Sequence, residues 1–181
     1  MNTRLGLLLL MAVAASTTAS GASTLPASCG NEKTVIDVTT HKHGPVSAEP
    51  EAGKARVFFI EAADEHARPV TTRVAMDGTW VGANRGNSYF ASTILPGEHH
   101  VCVDWQLNRR FIKDDPGFDV FNAEAGKVYY FRIAVGWTPS VYMIESGQPD
   151  GKMDLELSTV NVDEGLYLVQ NSKLSAATIK K

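Results

Sequence analysis

The fold class is decided by residues 70–83, VTTRVAMDGTWVGA. Every second residue from Val70 to Met76 is suited to burial in a half-buried strand, because side chains of a β-strand alternate between its two faces. Asp77-Gly78 follows at once, and this pair is preferred in tight hairpin turns since both positions tolerate positive φ. Thr79–Ala83 then predicts a return strand. The stretch therefore predicts an antiparallel β-hairpin.

Similar short strands recur on both sides of this hairpin, and Gly, Pro and Asn turns separate them. Repeated strands without long helical patterns favour an all-β fold, here an antiparallel β-sandwich of immunoglobulin-like or transthyretin-like type. The other predicted strands are Thr34–Thr40, Arg56–Ala62, Tyr89–Leu95, His99–Gln106, Val128–Val135, Val141–Glu145 and Met153–Leu157.

Two segments differ from this pattern. Asn108–Gly117 is polar and predicts a loop between strands. Near the C-terminus, Asp163 is a suitable N-cap for a short helix from Glu164 to about Ser172. We therefore expect the sandwich to carry one short C-terminal helix.

The N-terminus predicts export. Arg4 precedes an uncharged apolar run, Leu5–Ala15, and small residues follow it, which is the pattern of a secretory signal peptide. We place the signal peptide at residues 1–22, an extended N-terminal arm and linker at 23–53, and the β-sandwich domain at 54–181. An N-terminal membrane anchor is the alternative, although the run is short for a bilayer span.

The chain contains two cysteines, Cys29 and Cys102. In an exported protein such a pair suggests one internal disulfide, with two free thiols or an intermolecular bridge as the alternatives. A lipid anchor on Cys29 is disfavoured, because Pro26 stands where a bacterial lipoprotein signal has leucine. The location expected from these features is the periplasm or the exterior.

The overall charge limits the classes of partner. The formal net charge is −3, and no Lys/Arg run provides a phosphate-binding stripe, so nucleic acid is not an expected partner. After the signal peptide, no segment is long and apolar enough to predict a transmembrane helix. The sequence specifies no oligomeric state.

Several pieces between Gly53 and about Val135 resemble a bacterial family, domain of unknown function 2846. The resemblance lies in the order of these pieces: GKARVFF at 53–59, MDG at 76–78 before WVG at 80–82, SYF at 88–90, PGEHHV at 96–101 and AGKVYYFR at 125–132. It implies an exported or envelope-associated β-sandwich and offers no catalytic residues. The polar segment Asn108–Gly117 departs from the family pattern.

Histidines provide one hypothetical site. His41 and His43 share a face if their segment is a strand, and His99 and His100 are adjacent. Together with Asp104 they could hold zinc or copper if the N-terminal arm folds over the sheet. Surface histidines are common in exported proteins, and no other feature of the sequence indicates a cofactor.

Catalytic patterns are weak. No Gly-x-Ser-x-Gly elbow is present, and the neighbouring acids Asp114 and Asp115 are better explained as solvated loop residues. Glu61 is a more unusual acid because it lies within a predicted strand between apolar residues, and an outward orientation or a strand edge would explain it. Tyr130 and Trp137 could form an exposed aromatic binding patch, but packing in the core or against neighbouring strands is the favoured interpretation of the aromatic residues.

The leading hypothesis is therefore a non-catalytic exported β-sandwich that binds another envelope protein, a glycan or a further envelope component. A histidine-based metal-binding protein is the first alternative. A hydrolase with an unrecognised site, built from Glu61, a histidine and an aspartate in one cleft, is the second.

Overall fold

Within the residues that it describes, the computed structural model contains eleven strands in two sheets, a helix of 9 residues near the C-terminus, and two helical residues, Ile144 and Glu145, where the sequence predicts a strand. It describes residues 25–42, 47–62, 70–106, 112–139, 144–145 and 151–180. The prediction of an all-β sandwich is confirmed. The signal peptide lies outside the described residues and stays a prediction. Within the described part of the chain, no helix has the length and apolar character needed to cross a membrane.

The larger sheet has seven strands in the order β1-β11-β5-β2-β9-β10-β7. Its strands are β1 (Ile36–His41), β2 (Ala55–Glu61), β5 (Ser88–Ile94), β7 (Ile112–Asp115), β9 (Val128–Pro139), β10 (Gly151–Val160) and β11 (Lys173–Ile179). Three neighbouring pairs are parallel, namely β2 with β9, β11 with β5, and β10 with β7. The sandwich is therefore mainly, but not wholly, antiparallel.

The smaller sheet has four antiparallel strands in the order β4-β3-β6-β8. They are β3 (Thr71–Met76), β4 (Thr79–Arg85), β6 (Gly97–Trp105) and β8 (Gly117–Ala123). Asp77 and Gly78 connect β3 to β4 and both have positive φ, so the predicted hairpin is confirmed. Arg85 extends β4 beyond its predicted end at Ala83.

The main core lies between the two sheets, where alternate side chains of both meet. It contains Val57, Phe59, Val74, Met76, Phe90, Val101, Val103, Trp105, Phe131, Ile133, Leu155 and Leu157. Burial of these side chains is the main favourable term for the fold. The rows predicted from two-residue periodicity therefore do face each other across two layers.

The helix α1 (Val162–Gln170) packs on the outer face of the larger sheet. Asn161, not Asp163, is its N-cap, because the Asn161 side chain accepts a hydrogen bond from the backbone N–H of Glu164 at 3.0 Å. Gly165 lies against the ring of Tyr130. Tyr130 is 4% exposed, which confirms the favoured interpretation of packing for this residue and excludes it from an exposed aromatic patch. The side chain of Trp137 lies outside the described residues.

Three segments correct the sequence analysis. The predicted loop Asn108–Gly117 contains β7 and the first residue of β8, and strands β8 and β11 were not expected. β1, assigned to an extended arm, pairs with β11 over its whole length, from Ile36↔Ile179 to His41↔Leu174. In these segments, backbone hydrogen bonds to neighbouring strands favour strand structure despite the polar composition.

Candidate functional site

The N-terminal segment covers one half of the outer face of the smaller sheet. Cys29 and Cys102 form the disulfide predicted from sequence, with their Cα atoms 5.1 Å apart. The indole N–H of Trp80 donates to the backbone oxygen of Asn31 at 2.9 Å. Gly30 lies so close to the Trp80 ring that a Cβ atom there would overlap it. This half of the face is therefore occupied by the chain itself.

Arg73, on the same outer face of the smaller sheet, also binds the N-terminal segment. Its guanidinium is buried, forms an ion pair with Asp104, and donates to the backbone oxygens of Glu32 and Thr34 at 3.0 and 2.7 Å. The guanidinium also lies 4.4 Å from the centre of the Trp80 ring, within cation–π distance. Asp104, proposed above as a metal ligand, is thus the partner of a buried arginine.

The other half of this outer face presents apolar side chains to solvent. Phe118 and Val120 on β8 are 47% and 52% exposed. They lie beside Cys102 and His100 of β6 in the sheet register. Since β8 is an edge strand among the strands that the structure describes, the two exposed side chains border a row of backbone groups that can pair with a further strand.

The backbone along this edge is partly protected. The N–H of Val120 donates to Oδ1 of the preceding Asp119 at 2.8 Å instead of to a strand. The hydroxyl of Tyr129 donates to the backbone oxygen of Asn122 at 3.3 Å. Side chains that satisfy edge groups are a common protection against unwanted pairing. Sequence reasoning missed this edge, although Phe118, Val120 and Asn122 alternate with inward residues in GFDVFNA (117–123).

His99 is held between two acceptors at the end of the smaller sheet. Its Nδ1 lies 2.7 Å from Oδ2 of Asp77, and its Nε2 lies 2.9 Å from the backbone oxygen of Leu95. Partial burial disfavours the charged ring, but the Leu95 carbonyl and the Asp77 carboxylate outweigh burial and raise the pKa of His99. The backbone N–H of His100 donates to the other oxygen of Asp77 at 2.9 Å.

Three histidines of the metal hypothesis, His41, His99 and His100, lie in the described residues, and each contacts different groups. His99 turns towards the ring of Phe121, whereas the exposed ring of His100 lies 3.5 Å from Glu98. His41 lies on β1 in the other sheet, with Nε2 3.4 Å from Oγ1 of Thr39. His43 lies outside the described residues. Within the described ranges, no group of three or more His, Cys, Asp or Glu side chains is placed to hold a metal ion.

Glu61 faces the interior, which corrects the outward orientation suggested above. It is 4% exposed, and its Oε2 has no hydrogen-bond partner in the described part of the chain. Burial raises the pKa of Glu61 to about 7, although the Thr72 hydroxyl and the Gly86 backbone act in the opposite direction. A pKa near neutrality is typical of acid–base catalysts, but it also follows from burial alone.

The acids of the hydrolase alternative are separated in the structure. Among the described residues, the groups that affect the pKa of Glu61 include neither a histidine nor an aspartate. Asp115 lies at the surface, 2.5 Å from Nζ of Lys152, which also contacts Asp154 at 2.8 Å. These two carboxylates raise the pKa of Lys152. The side chain of Asp114 lies outside the described residues.

Comparisons with known proteins find no match to this chain. No family model, no curated protein and no solved structure matches this chain. The resemblance to domain of unknown function 2846 therefore stays an expectation from the ordered sequence pieces. Arguments about function depend on the geometry of this chain's own residues.

Proposed function

We propose that this protein is a non-catalytic exported β-sandwich that binds another envelope protein through strand β8. The observation that carries this proposal is the pair of exposed side chains, Phe118 and Val120, beside the outer edge of β8. Exposed apolar residues next to an open strand edge are the features that strand addition uses. The opposite half of the same sheet face is closed by the N-terminal segment.

The edge favours a polypeptide over a glycan. An extended peptide can supply both donors and acceptors to the backbone of β8, with alternate side chains packing on Phe118 and Val120. Glycan sites commonly rely on exposed aromatic rings, and Tyr130 is buried here. The partner is therefore expected to present an extended segment with alternating apolar residues.

The acidic residues near β8 indicate which charges the partner's segment is expected to carry. Asp119 lies on the edge itself, and Glu98 and Glu124 are exposed at neighbouring positions of the same sheet. Pairing two copies of β8 would bring their Asp119 carboxylates together, and like charges across strands are destabilising. A partner segment with Lys or Arg beside its apolar residues would instead complement this edge.

Export is supported by the disulfide and by the N-terminal sequence. Disulfides persist in oxidising compartments such as the periplasm or the exterior. Cys29 and Cys102 are both buried and bonded to each other. The expected signal peptide at residues 1–22 and the sequence resemblance described above agree with this location.

Site-specific crosslinking in the envelope of the host cell tests the binding surface. A photoreactive phenylalanine analogue is placed at Phe118, with Tyr167 on α1, which is 65% exposed, as the matched control position. We expect a discrete crosslinked protein from position 118 that position 167 does not give. We also expect its loss in V120P, which removes the edge N–H. Identical products from both positions, or no product from position 118, would exclude β8 as the binding edge.

A further inference from the structure

Three polar side chains lie between the sheets at the end of the sandwich where β2 finishes and β3 begins. Glu61, Thr72 and Trp105 are 4%, 0% and 2% exposed. Among the residues that the structure describes, Glu61 Oε2, Thr72 Oγ1 and Trp105 Nε1 have no hydrogen-bond partner. Such buried groups are rare in folded proteins, and each requires an explanation.

The fold brings the three side chains to one place. Thr72 and Trp105 are directly opposite each other in the β3–β6 register, and both project from the inner face of the smaller sheet. Glu61 projects inward from the larger sheet, in the same row as Val57 and Phe59, and the Thr72 hydroxyl is close enough to influence its ionisation. Thr72 is therefore the neighbour that the other two share.

Neighbouring polar groups at this end of the sandwich have partners. Asn84 donates through Nδ2 to the backbone oxygen of Phe59 at 3.1 Å. The Ser88 hydroxyl accepts from the backbone N–H of Arg85 at 3.0 Å. The unsatisfied atoms at this end of the core are thus those of Glu61, Thr72 and Trp105. Arg56 Nε and Arg73 Nε also lack a partner among the described residues, but Arg56 is at the start of β2 and Arg73 projects from the outer face.

We propose that Glu61, Thr72 and Trp105 form an internal site that binds one neutral molecule of the size of water. The indole N–H only donates, the hydroxyl donates and accepts, and the carboxyl accepts through Oε2. One water molecule complements all three, because a buried water makes about three hydrogen bonds to otherwise unsatisfied groups. A metal ion does not, since the indole N–H directs positive charge towards it.

The charged groups around Glu61, Thr72 and Trp105 favour a neutral bound molecule. The charged residues next in β3 and β6, Arg73 and Asp104, project from the outer face of the sheet and pair there. Within the described residues, no cation is placed to neutralise an ionised Glu61. The raised pKa of Glu61 therefore favours the protonated carboxyl in acidic and neutral solution.

The probe in this experiment is water itself. The buried indole groups of Trp105 and Trp80 are compared within the same sample. In ¹⁵N-labelled full-length protein, magnetisation transfer from bulk-exchanging water is measured at the indole N–H of Trp105 and of Trp80. We expect a cross-peak from a long-lived water at Trp105 and none at Trp80, whose N–H donates to Asn31. A Trp105 indole without a water cross-peak would overturn the proposal.

A stability measurement gives an independent result. If the Thr72 hydroxyl bonds a bound water, T72V should raise the unfolding equilibrium constant about fivefold, which corresponds to one hydrogen bond of about 1 kcal/mol. If the hydroxyl is buried without any partner, the isosteric valine should stabilise the protein, and that result would also overturn the proposal. T71V, on the half-exposed neighbouring position, is the control and should change little.

Discussion

The side chain of Asp119 accepts a 2.8 Å hydrogen bond from the backbone N–H of the next residue, Val120, on the open edge of β8. This contact places a negative charge and a satisfied donor where another strand would otherwise pair. It therefore explains how an edge with exposed Phe118 and Val120 avoids unselective association. A partner strand must displace the Asp119 carboxylate before it can bond to Val120.

Removing this protection should promote self-association. We expect D119A to lose about 1 kcal/mol of stability and to form concentration-dependent dimers, because the freed edge can pair with itself. Analytical ultracentrifugation over a range of protein concentrations measures this. D163A, which removes an exposed acid on α1, controls for the change in net charge. A D119A protein that behaves like D163A would show that Asp119 does not protect the edge.

The disulfide should contribute substantially to stability. Cys29 and Cys102 are 73 positions apart, so their bond restricts a long loop in the unfolded chain. We expect C29A/C102A to lose about 2–4 kcal/mol in urea denaturation. Release of the N-terminal segment should also expose Trp80 and shift its fluorescence to longer wavelength. An unchanged urea midpoint would mean that Arg73 and the contacts of Trp80 hold this segment without the disulfide.

The regular hairpins of this fold are predictable from sequence because their signals are local. Asp77-Gly78 determines a turn through backbone conformation alone, and alternation from Val70 to Met76 identifies the inner face. The disulfide was also predictable, since a chain that is expected to be exported and has two cysteines offers one internal pairing. Each of these inferences depends on residue type and short spacing.

The burial and orientation of the site residues could not be predicted without the tertiary structure. The two faces of β2 are both buried, one in the core between the sheets and the other in the cluster beneath α1, so no local pattern reports the orientation of Glu61. Strand β11 pairs with β1 across most of the chain; the strand at β1 was predicted, but the polar composition of β11 concealed its partner. The same applies to Arg73, which is buried only because the N-terminal segment supplies backbone oxygens to it.

Gly165 should reverse the usual effect of glycine-to-alanine changes in helices. Alanine generally stabilises a helix interior by up to about 1 kcal/mol relative to glycine. At Gly165 a Cβ atom would overlap the Tyr130 ring, so we expect G165A to destabilise the protein by about 1–2 kcal/mol. In a Y130L background the same change should become neutral or stabilising. Thermal unfolding measures both, and a stabilising G165A in the wild-type background would refute the close packing of α1.

His99 should make stability depend on pH above 6.5. Its folded pKa is raised above 6.5, so its contribution is fully present below that value and is lost as pH rises through the folded pKa. Titration of the His99 ring by NMR measures the shift directly. D77N should lower the pKa of His99, because it removes the carboxylate 2.7 Å from Nδ1. If D77N left the titration unchanged, the Asp77 contact would not control the ring.

Glu61 should dominate the pH dependence on the acidic side. Its pKa rises from 4.5 in the unfolded chain to about 7 in the folded protein, so the folded state retains a proton that the unfolded state has released. Stability is therefore greatest below about pH 4.5 and falls by roughly 3 kcal/mol as pH rises to 7, at about 1.4 kcal/mol per unit.

Replacing Glu61 with its neutral analogue should remove this slope. We expect E61Q to have nearly constant stability between pH 5 and 7, measured by urea denaturation at each pH, whereas exposed E156Q should retain the wild-type profile. Most of this window lies below that of His99, whose contribution is lost only above 6.5. If E61Q and wild-type stabilities decline in parallel over this range, Glu61 must be ionised in the folded protein, and a cation or solvent must reach it between the sheets.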